Sequence, residues 1–115
     1  MSNSEHDRRI DYIEFSVKSV PDAKRFYGAA FGWTFEDYGP DYASFADGRL
    51  TGGFRADGDP GKAPLIVIFA KDLDALMKQV EAAGGRTFNL HDFPGGRRFH
   101  FEDPGGNELA VWSDR

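Results

Sequence analysis

Apolar and polar positions alternate along Ile10–Val17, with Ile13, Phe15 and Val17 on one face and Tyr12, Glu14 and Ser16 on the other. That period of two predicts a strand. The period then changes. Ala23, Phe26, Tyr27 and Ala30 recur at i, i+3, i+4 and i+7, which predicts a helix with one buried face. Ser19 is placed to cap it, Pro21 and Asp22 suit its first turn, and Gly32 can close it in the left-handed conformation. Three short strands follow, at about Trp33–Asp37, Tyr42–Ala46 and Leu50–Arg55, punctuated by Gly39-Pro40 and Asp47-Gly48. Ala56 to Ala63 is polar and rich in glycine and proline, and reads as a linker. The pattern then restarts. Leu65–Ala70 is an apolar strand, and Asp72 caps a helix whose buried stripe is Leu73, Leu76, Met77 and Val80 and whose end is Gly84. Strands are expected at about Arg86–Leu90, Arg97–Glu102 and Asn107–Ser113, with His91 in an exposed loop that ends in Gly95-Gly96. Asp103-Pro104-Gly105-Gly106-Asn107 joins the last two as a tight turn.

The halves match at an offset of 53 residues, which carries Ser19 onto Asp72, Ala30 onto Ala83, and Gly32-Trp33-Thr34-Phe35 onto Gly85-Arg86-Thr87-Phe88. A repeat fixes the architecture before any residue is assigned a role. The expected fold is α+β, one domain of two βαβββ modules, residues 9–56 and 63–113, joined by a linker at 57–62. Residues 1–8, including His6, are expected to be a solvated tail.

Composition narrows the partners. The chain has 115 residues and a formal net charge of −5 without a long basic run, which argues against nucleic acid or an anionic membrane as partner. There is no cysteine, so neither a disulfide framework nor a thiol nucleophile. The polar start lacks the apolar run of a signal peptide, and no stretch is long enough to span a membrane, which together read as cytoplasmic. Eleven Phe, 4 Tyr and 2 Trp supply ample core.

Within this frame, Ala23…Phe26-Tyr27…Phe31-Gly32-Trp33 and Phe101-x-Asp103-Pro104-Gly105-Gly106-Asn107 carry a resemblance. The chain resembles the vicinal-oxygen-chelate superfamily of glyoxalase I, bleomycin-resistance proteins, fosfomycin-resistance enzymes and extradiol dioxygenases, over about residues 10–113. The resemblance implies a curved mixed sheet around a cleft. It also implies metal ligands, usually His, Glu or Gln, at positions occupied here by Tyr12, Gly52, Leu65 and Ala110. Three of those side chains cannot ligate a metal and neutral tyrosine is a poor ligand, so no metal and no other cofactor is expected.

The resemblance turns Tyr12, Glu14 and Ser16 into the cleft, faced by Arg98, His100 and Glu102. It makes Leu65, Val67, Phe69, Phe54 and Trp112 the floor. An apolar cleft with few polar groups suits a small molecule. Glu14 and His100 are the candidate acid/base residues; Tyr12, Ser16, Phe54, Phe69, Arg98 and Trp112 are the candidate binding residues. Arg97 and Arg98 could also grip a substrate carboxylate. Three functions stay open: a metal-free binder of an apolar or aromatic molecule, a lyase or isomerase using Glu14 and His100, and a metal-dependent lyase or dioxygenase with displaced ligands. Related proteins pair modules between chains, which implies a homodimer, with Trp33, Phe35 and Tyr38 as interface candidates.

Overall fold

The structure is a computed structural model that describes residues 4–57, 59–61 and 63–114; residues 1–3 of the expected tail and residues 58 and 62 of the expected linker lie outside the described residues. The strands are β1 (Arg9–Ser16), β2 (Thr34–Asp37), β3 (Tyr42–Ala46), β4 (Thr51–Arg55), β5 (Leu65–Phe69), β6 (Arg86–Phe93), β7 (Gly96–Glu102) and β8 (Glu108–Ser113). The helices are α1 (Val20–Phe31) and α2 (Leu73–Ala82). This is the α+β fold of two βαβββ modules that the repeat predicts. The chain divides into two compact units, Tyr12–Leu65 and the residues from Ile66 onward together with those up to Asp11.

In the first unit the strands run in the order β2-β3-β4-β1. β1 is parallel to β4, and the other pairs are antiparallel. Ser19 caps α1 by accepting from the Asp22 amide at 3.2 Å, and Gly32 closes it at φ 75°. Under α1 lies an aromatic core: Phe45 and Phe54 with Val20 and Ala43, packed by Phe15, Tyr27, Trp33 and Phe35. The ring of Tyr27 stacks on Trp33 at 4.8 Å, and Phe45 on Phe54 at 5.1 Å.

Three expectations change here. Phe26 is 58% exposed and Ala30 is also exposed, so the buried stripe of α1 narrows to Val20, Ala23 and Tyr27. Trp33 and Phe35, expected at an interface, are half-buried against their own core, while Tyr38 is exposed. Phe54, expected on a cleft floor, is fully buried beneath α1. Its register partners are Phe15 and Ala43, so parity sends it to the helix side.

In the second unit the order is β5-β8-β7-β6, with β5 parallel to β8 and the rest antiparallel. Asp72 caps α2 by accepting from the Ala75 amide at 3.0 Å. The core beneath α2 is Ala70, Leu73, Phe99 and Val111, joined by Ile68, Leu76, Met77, Val80 and Phe101. The expected loop around His91 is a hairpin instead: β6 continues to Phe93, with a bulge between Phe88 and His91 where Asn89 sits at φ 56°. Pro94-Gly95 then makes the turn into β7. The Asp103 turn forms as expected, its carboxylate accepting from the Gly105 amide at 2.8 Å and the Asn107 amide at 2.9 Å. Those bonds, the Asn107 amide first, hold the Asp103 carboxyl below its ordinary range.

The described part of the expected tail is structured. Ser4–His6 forms a turn of 3-10 helix, the Arg8 amide donates to the Phe69 carbonyl at 2.7 Å, and Asp7 accepts from the Lys71 amide at 2.7 Å. Backbone bonding, which composition does not reveal, anchors it.

Candidate functional site

Each module carries one polar cluster on the sheet face turned away from its helix. In the first, register places Glu14 beside Gly53 and Ser44, and Ser16 beside Arg55 and Tyr42. Glu14 is only 7% exposed. A buried carboxylate needs donors. Tyr42 supplies one, its hydroxyl donating to Glu14 Oε2 at 2.9 Å, while Arg55 Nη1 lies 3.8 Å from Oε1. The hydroxyls of Tyr12 and Tyr42 are 2.6 Å apart. With the Tyr42 proton directed to Glu14, Tyr12 is the donor of that second bond. Burial, followed by the Glu14 charge, pushes the Tyr42 phenol far above its ordinary value, so it stays neutral.

Gly53 makes this chain possible. A Cβ there would overlap the Tyr42 hydroxyl and stand 2.6 Å from that of Tyr12. Ser16 shares the face and donates to Asp57 Oδ2 at 2.9 Å. The structure thus joins Tyr12 to Glu14 through Tyr42, a residue the sequence reading passed over. The alternation of Tyr42, Ser44 and Ala46 against Ala43 and Phe45 is the signal that puts Tyr42 on the polar face.

In the second module, Arg98, His100 and Glu102 share a face with Trp112, Ala110 and Glu108. His100 is 6% exposed. Its Nδ1 is 2.9 Å from Glu108 Oε2, and its Nε2 is 3.3 Å from Arg98 Nε and 3.2 Å from Arg98 Nη2. A guanidinium only donates, so Nε2 carries the lone pair and Nδ1 carries the proton given to Glu108. Burial is the main influence pulling the His100 pKa down. The hydrogen bond to Glu108 opposes it, and the Arg98 charge adds to it. The ring lies 5.7 Å from Phe88 and 6.2 Å from His91.

Phe69 and Trp112 occupy the same face, 5.2 Å apart, with Phe93 6.3 Å from Trp112. Trp112 Nε1 donates to Asp11 Oδ2 at 3.0 Å. Arg97 points the other way, 3.5 Å from Asp74 and 3.4 Å from Asp92, and Glu102 pairs with Arg86 at 3.6 Å. Glu108 is the second functional residue missed as such. The hairpin register that pairs His100 with Ala110 brings it diagonally onto the imidazole.

The Glyoxalase/Bleomycin resistance protein/Dioxygenase superfamily model matches residues 9–111, nearly the whole chain. The chain belongs to this superfamily. Among solved structures it is similar to a Mn(II)-bound glyoxalase from Novosphingobium aromaticivorans, at 28% identity and a TM-score of 0.66. That match covers 95% of this chain and 40% of the glyoxalase, so the chain spans well under half of that protein. It is also similar to methylmalonyl-CoA epimerase from Mycobacterium tuberculosis, at 14% identity, a TM-score of 0.73, and coverage of 98% of this chain and 91% of that one. A superfamily member from Vibrio splendidus matches at 13% identity and a TM-score of 0.69, over 91% of this chain and 97% of that one. The last two establish the fold alone. No curated protein sequence matches.

The superfamily's metal can be tested against the residues present. Register corrects one position: Glu14 pairs with Gly53 as Val67 pairs with Ala110, so Gly53, not Gly52, is the counterpart of Ala110. Gly52 faces the Phe45 ring on the helix side. The ligand positions are therefore Tyr12 and Gly53 in one module and Leu65 and Ala110 between β5 and β8. Three have no donor atom, and the fourth is a neutral phenol bonded to Tyr42. Among the described residues, no three His, Cys, Asp or Glu side chains converge as a metal site would require. These residues do not fit the metal. No described helix is long and apolar enough to cross a membrane.

Proposed function

We propose that the protein binds a small apolar or aromatic molecule without the superfamily metal. The observation that supports this most is the second module's face turned away from α2, where half-buried Trp112 packs on the buried ring of Phe69 beside the Arg98–His100–Glu108 cluster. Aromatic surface with a few oriented polar groups is the make-up of a small-molecule site. Superfamily membership agrees with it, and the donor-poor ligand positions weigh against the chelating alternative. The test is native mass spectrometry of gently purified protein together with elemental analysis, followed by a thermal-shift screen of small aromatic compounds. A ligand that raises the melting temperature, with no stoichiometric metal, is the expected result. Stoichiometric zinc, iron or manganese held by the untagged protein would favour a metal-dependent lyase or dioxygenase instead.

One observation favours a second reading, lyase or isomerase chemistry. His100 is held by Glu108 in a single tautomer, with its basic nitrogen turned from the carboxylate, as a general base needs. Glu14 is the first module's own candidate acid/base residue. Once a ligand is known, Glu14→Gln should weaken its binding or turnover; unchanged affinity and rate would leave His100 and Arg98 to carry the function. The proposal also includes a homodimer, checked by equilibrium sedimentation at micromolar concentration.

A further inference from the structure

Val20, Ala23 and Tyr27 turn one side of α1 to the first module's core. Asp22, Arg25, Phe26, Ala29 and Ala30 recur at i, i+3, i+4, i+7 and i+8 on the other side, and all are exposed. Phe26 is 58% exposed. Phe31, 62% exposed at the end of the helix, extends the same patch, its ring 6.2 Å from that of Phe26. Adjoining exposed phenylalanines with two alanines beside them form a contiguous apolar surface, not scattered apolar residues.

The charges around this surface indicate what covers it. Arg25 is bonded to Asp22, and Lys24 donates to Asp37 at 2.7 Å. In a chain of net charge −5 the patch is thus locally neutral, and a second copy of the chain is repelled least there. The face is also complementary to itself. It carries a large ring, Phe26, beside the small side chains of Ala29 and Ala30. The last turn of α1 has no basic residue to offset the negative end of its dipole, while Arg25, its side chain 72% exposed, stands near the positive end. Two copies crossed antiparallel about a two-fold axis level with Gly28 use both features. Phe26 then lies level with the partner's Ala30. Arg25 lies level with the partner's Phe31, where the ring face and the last-turn carbonyls both attract a cation. A parallel crossing would set like ends of the two helices together.

We infer that the outer face of α1 is an isologous interface with a second copy of this chain, centred near Gly28 and built on Phe26, Ala29, Ala30 and Phe31, with Arg25 at its rim. The inference rests on the homodimer reading above and names its surface. It moves that surface away from Trp33 and Phe35, whose rings are committed to their own core.

The intact protein is tested by equilibrium sedimentation at micromolar concentration, with urea unfolding to check each variant's fold. Phe26→Glu replaces a side chain that is already exposed in the single chain, so the fold should keep its stability. It buries a carboxylate in the proposed interface, so dimerisation should weaken by about tenfold or more. The chain has no cysteine, which makes single-cysteine cross-linking a second, independent test. With the axis level with Gly28, paired copies of residue 29 are offset by about 3 Å along the helices and copies of residue 22 by about 18 Å. Ala29→Cys should therefore link to its own copy with oxidised glutathione, and Asp22→Cys should not. A wild-type dimer that Phe26→Glu leaves intact, or an Ala29→Cys that does not link, would overturn the surface while leaving the homodimer reading standing. Equal linking at positions 22 and 29 would overturn it as well. A wild-type monomer throughout the micromolar range would overturn both.

Discussion

Ser19 and Asp72 cap equivalent helices alike, accepting at 3.2 and 3.0 Å from the amide three residues on, yet the two modules fill the space around that frame differently. Beneath α1 the core is ring upon ring. Beneath α2 it is mostly aliphatic, with Leu73, Val111, Ile68, Leu76 and Val80 around Phe99. On the sheet faces turned away from the helices the contrast is electrical. The first module keeps a buried carboxylate supplied by phenol hydroxyls; the second keeps a buried imidazole between a carboxylate and a guanidinium. A repeated chain trace thus fixes where side chains point, while the residues at matching positions decide the chemistry.

The largest expected difference lies in the cores. Phe54 has ring neighbours in Phe15, Tyr27, Phe35 and Phe45, whereas Phe99 has Phe101. Both are fully buried, so truncation to Ala should cost each about 3–5 kcal/mol. Ring pairs add roughly 0.5–1.5 kcal/mol apiece, which should place Phe54→Ala above Phe99→Ala. Urea unfolding measures both. Equal losses would show that stacking in the first core adds nothing beyond buried area.

Next in size are the glycines of β4. A Cβ on Gly52 would run into the Ile13 carbonyl, which is backbone and cannot step aside; on Gly53 it would meet the Tyr42 hydroxyl, the ring carbon that bears it and the Tyr12 hydroxyl, all far ends of side chains that can shift. Gly52→Ala should therefore cost about 1–3 kcal/mol, and Gly53→Ala less. Combining Gly53→Ala with Tyr42→Phe should shrink the glycine penalty, because the hydroxyl in the way is gone. Ala110, the second module's counterpart of Gly53, already bears a Cβ. A Gly53→Ala cost unchanged by Tyr42→Phe would remove the tyrosine chain as the reason for glycine.

These glycines also mark how far the sequence could be read. The offset of the repeat gave both caps, both helices and the succession of strand, helix and three strands along each module, because capping chemistry and hydrophobic period are local. It misplaced Phe54 and Gly52 by one face. A short strand such as Thr51–Arg55, with apolar or small residues at three successive positions, carries no alternation to set its parity. Of the candidate site, Tyr12, Glu14, Ser16, Arg98, His100 and Trp112 all stand on the faces expected within their own modules. Tyr42 and Glu108 were not legible as partners, since each reaches its carboxylate or imidazole diagonally across strands. Only the register shows that.

Tyr42→Phe against Glu108→Gln compares the two polar clusters. Removing the Tyr42 hydroxyl leaves Glu14 buried without that donor, at a cost of about 1–3 kcal/mol. The Glu108 side chain is 52% exposed, so its change should cost under about 1 kcal/mol. The Tyr42 phenol also predicts a pH dependence. Its proton is retained in the fold but released in the unfolded chain near the ordinary value of 10.0, so stability falls as pH rises above that point. Tyr42→Phe should flatten this alkaline limb. Equal costs for the two substitutions would mean that burial does not distinguish the clusters.

The smallest expected effect is the acid counterpart at His100. Burial lowers its pKa most, Glu108 opposes through the hydrogen bond, and the Arg98 charge lowers it further, followed by the raising charge of Glu108 and the lowering charge of His91. A histidine harder to protonate in the fold binds fewer protons there than in the unfolded chain. Between the depressed folded value and the ordinary value of 6.5, stability therefore rises with pH. The contribution is fully present above that ordinary value and is lost as pH falls toward the folded one. Because Glu108 counteracts burial, the slope should be shallow. Urea midpoints at a series of pH values from neutral into the acid range, for the wild type and for His100→Asn, isolate it. The wild type should lose more on acidification than the variant does. Glu108→Gln should steepen the dependence, since it removes the group that keeps the buried imidazole easier to protonate. If His100→Asn shows the same acid loss as the wild type, the imidazole is not what couples this module to pH, and the contrast with Tyr42 reduces to the alkaline limb alone.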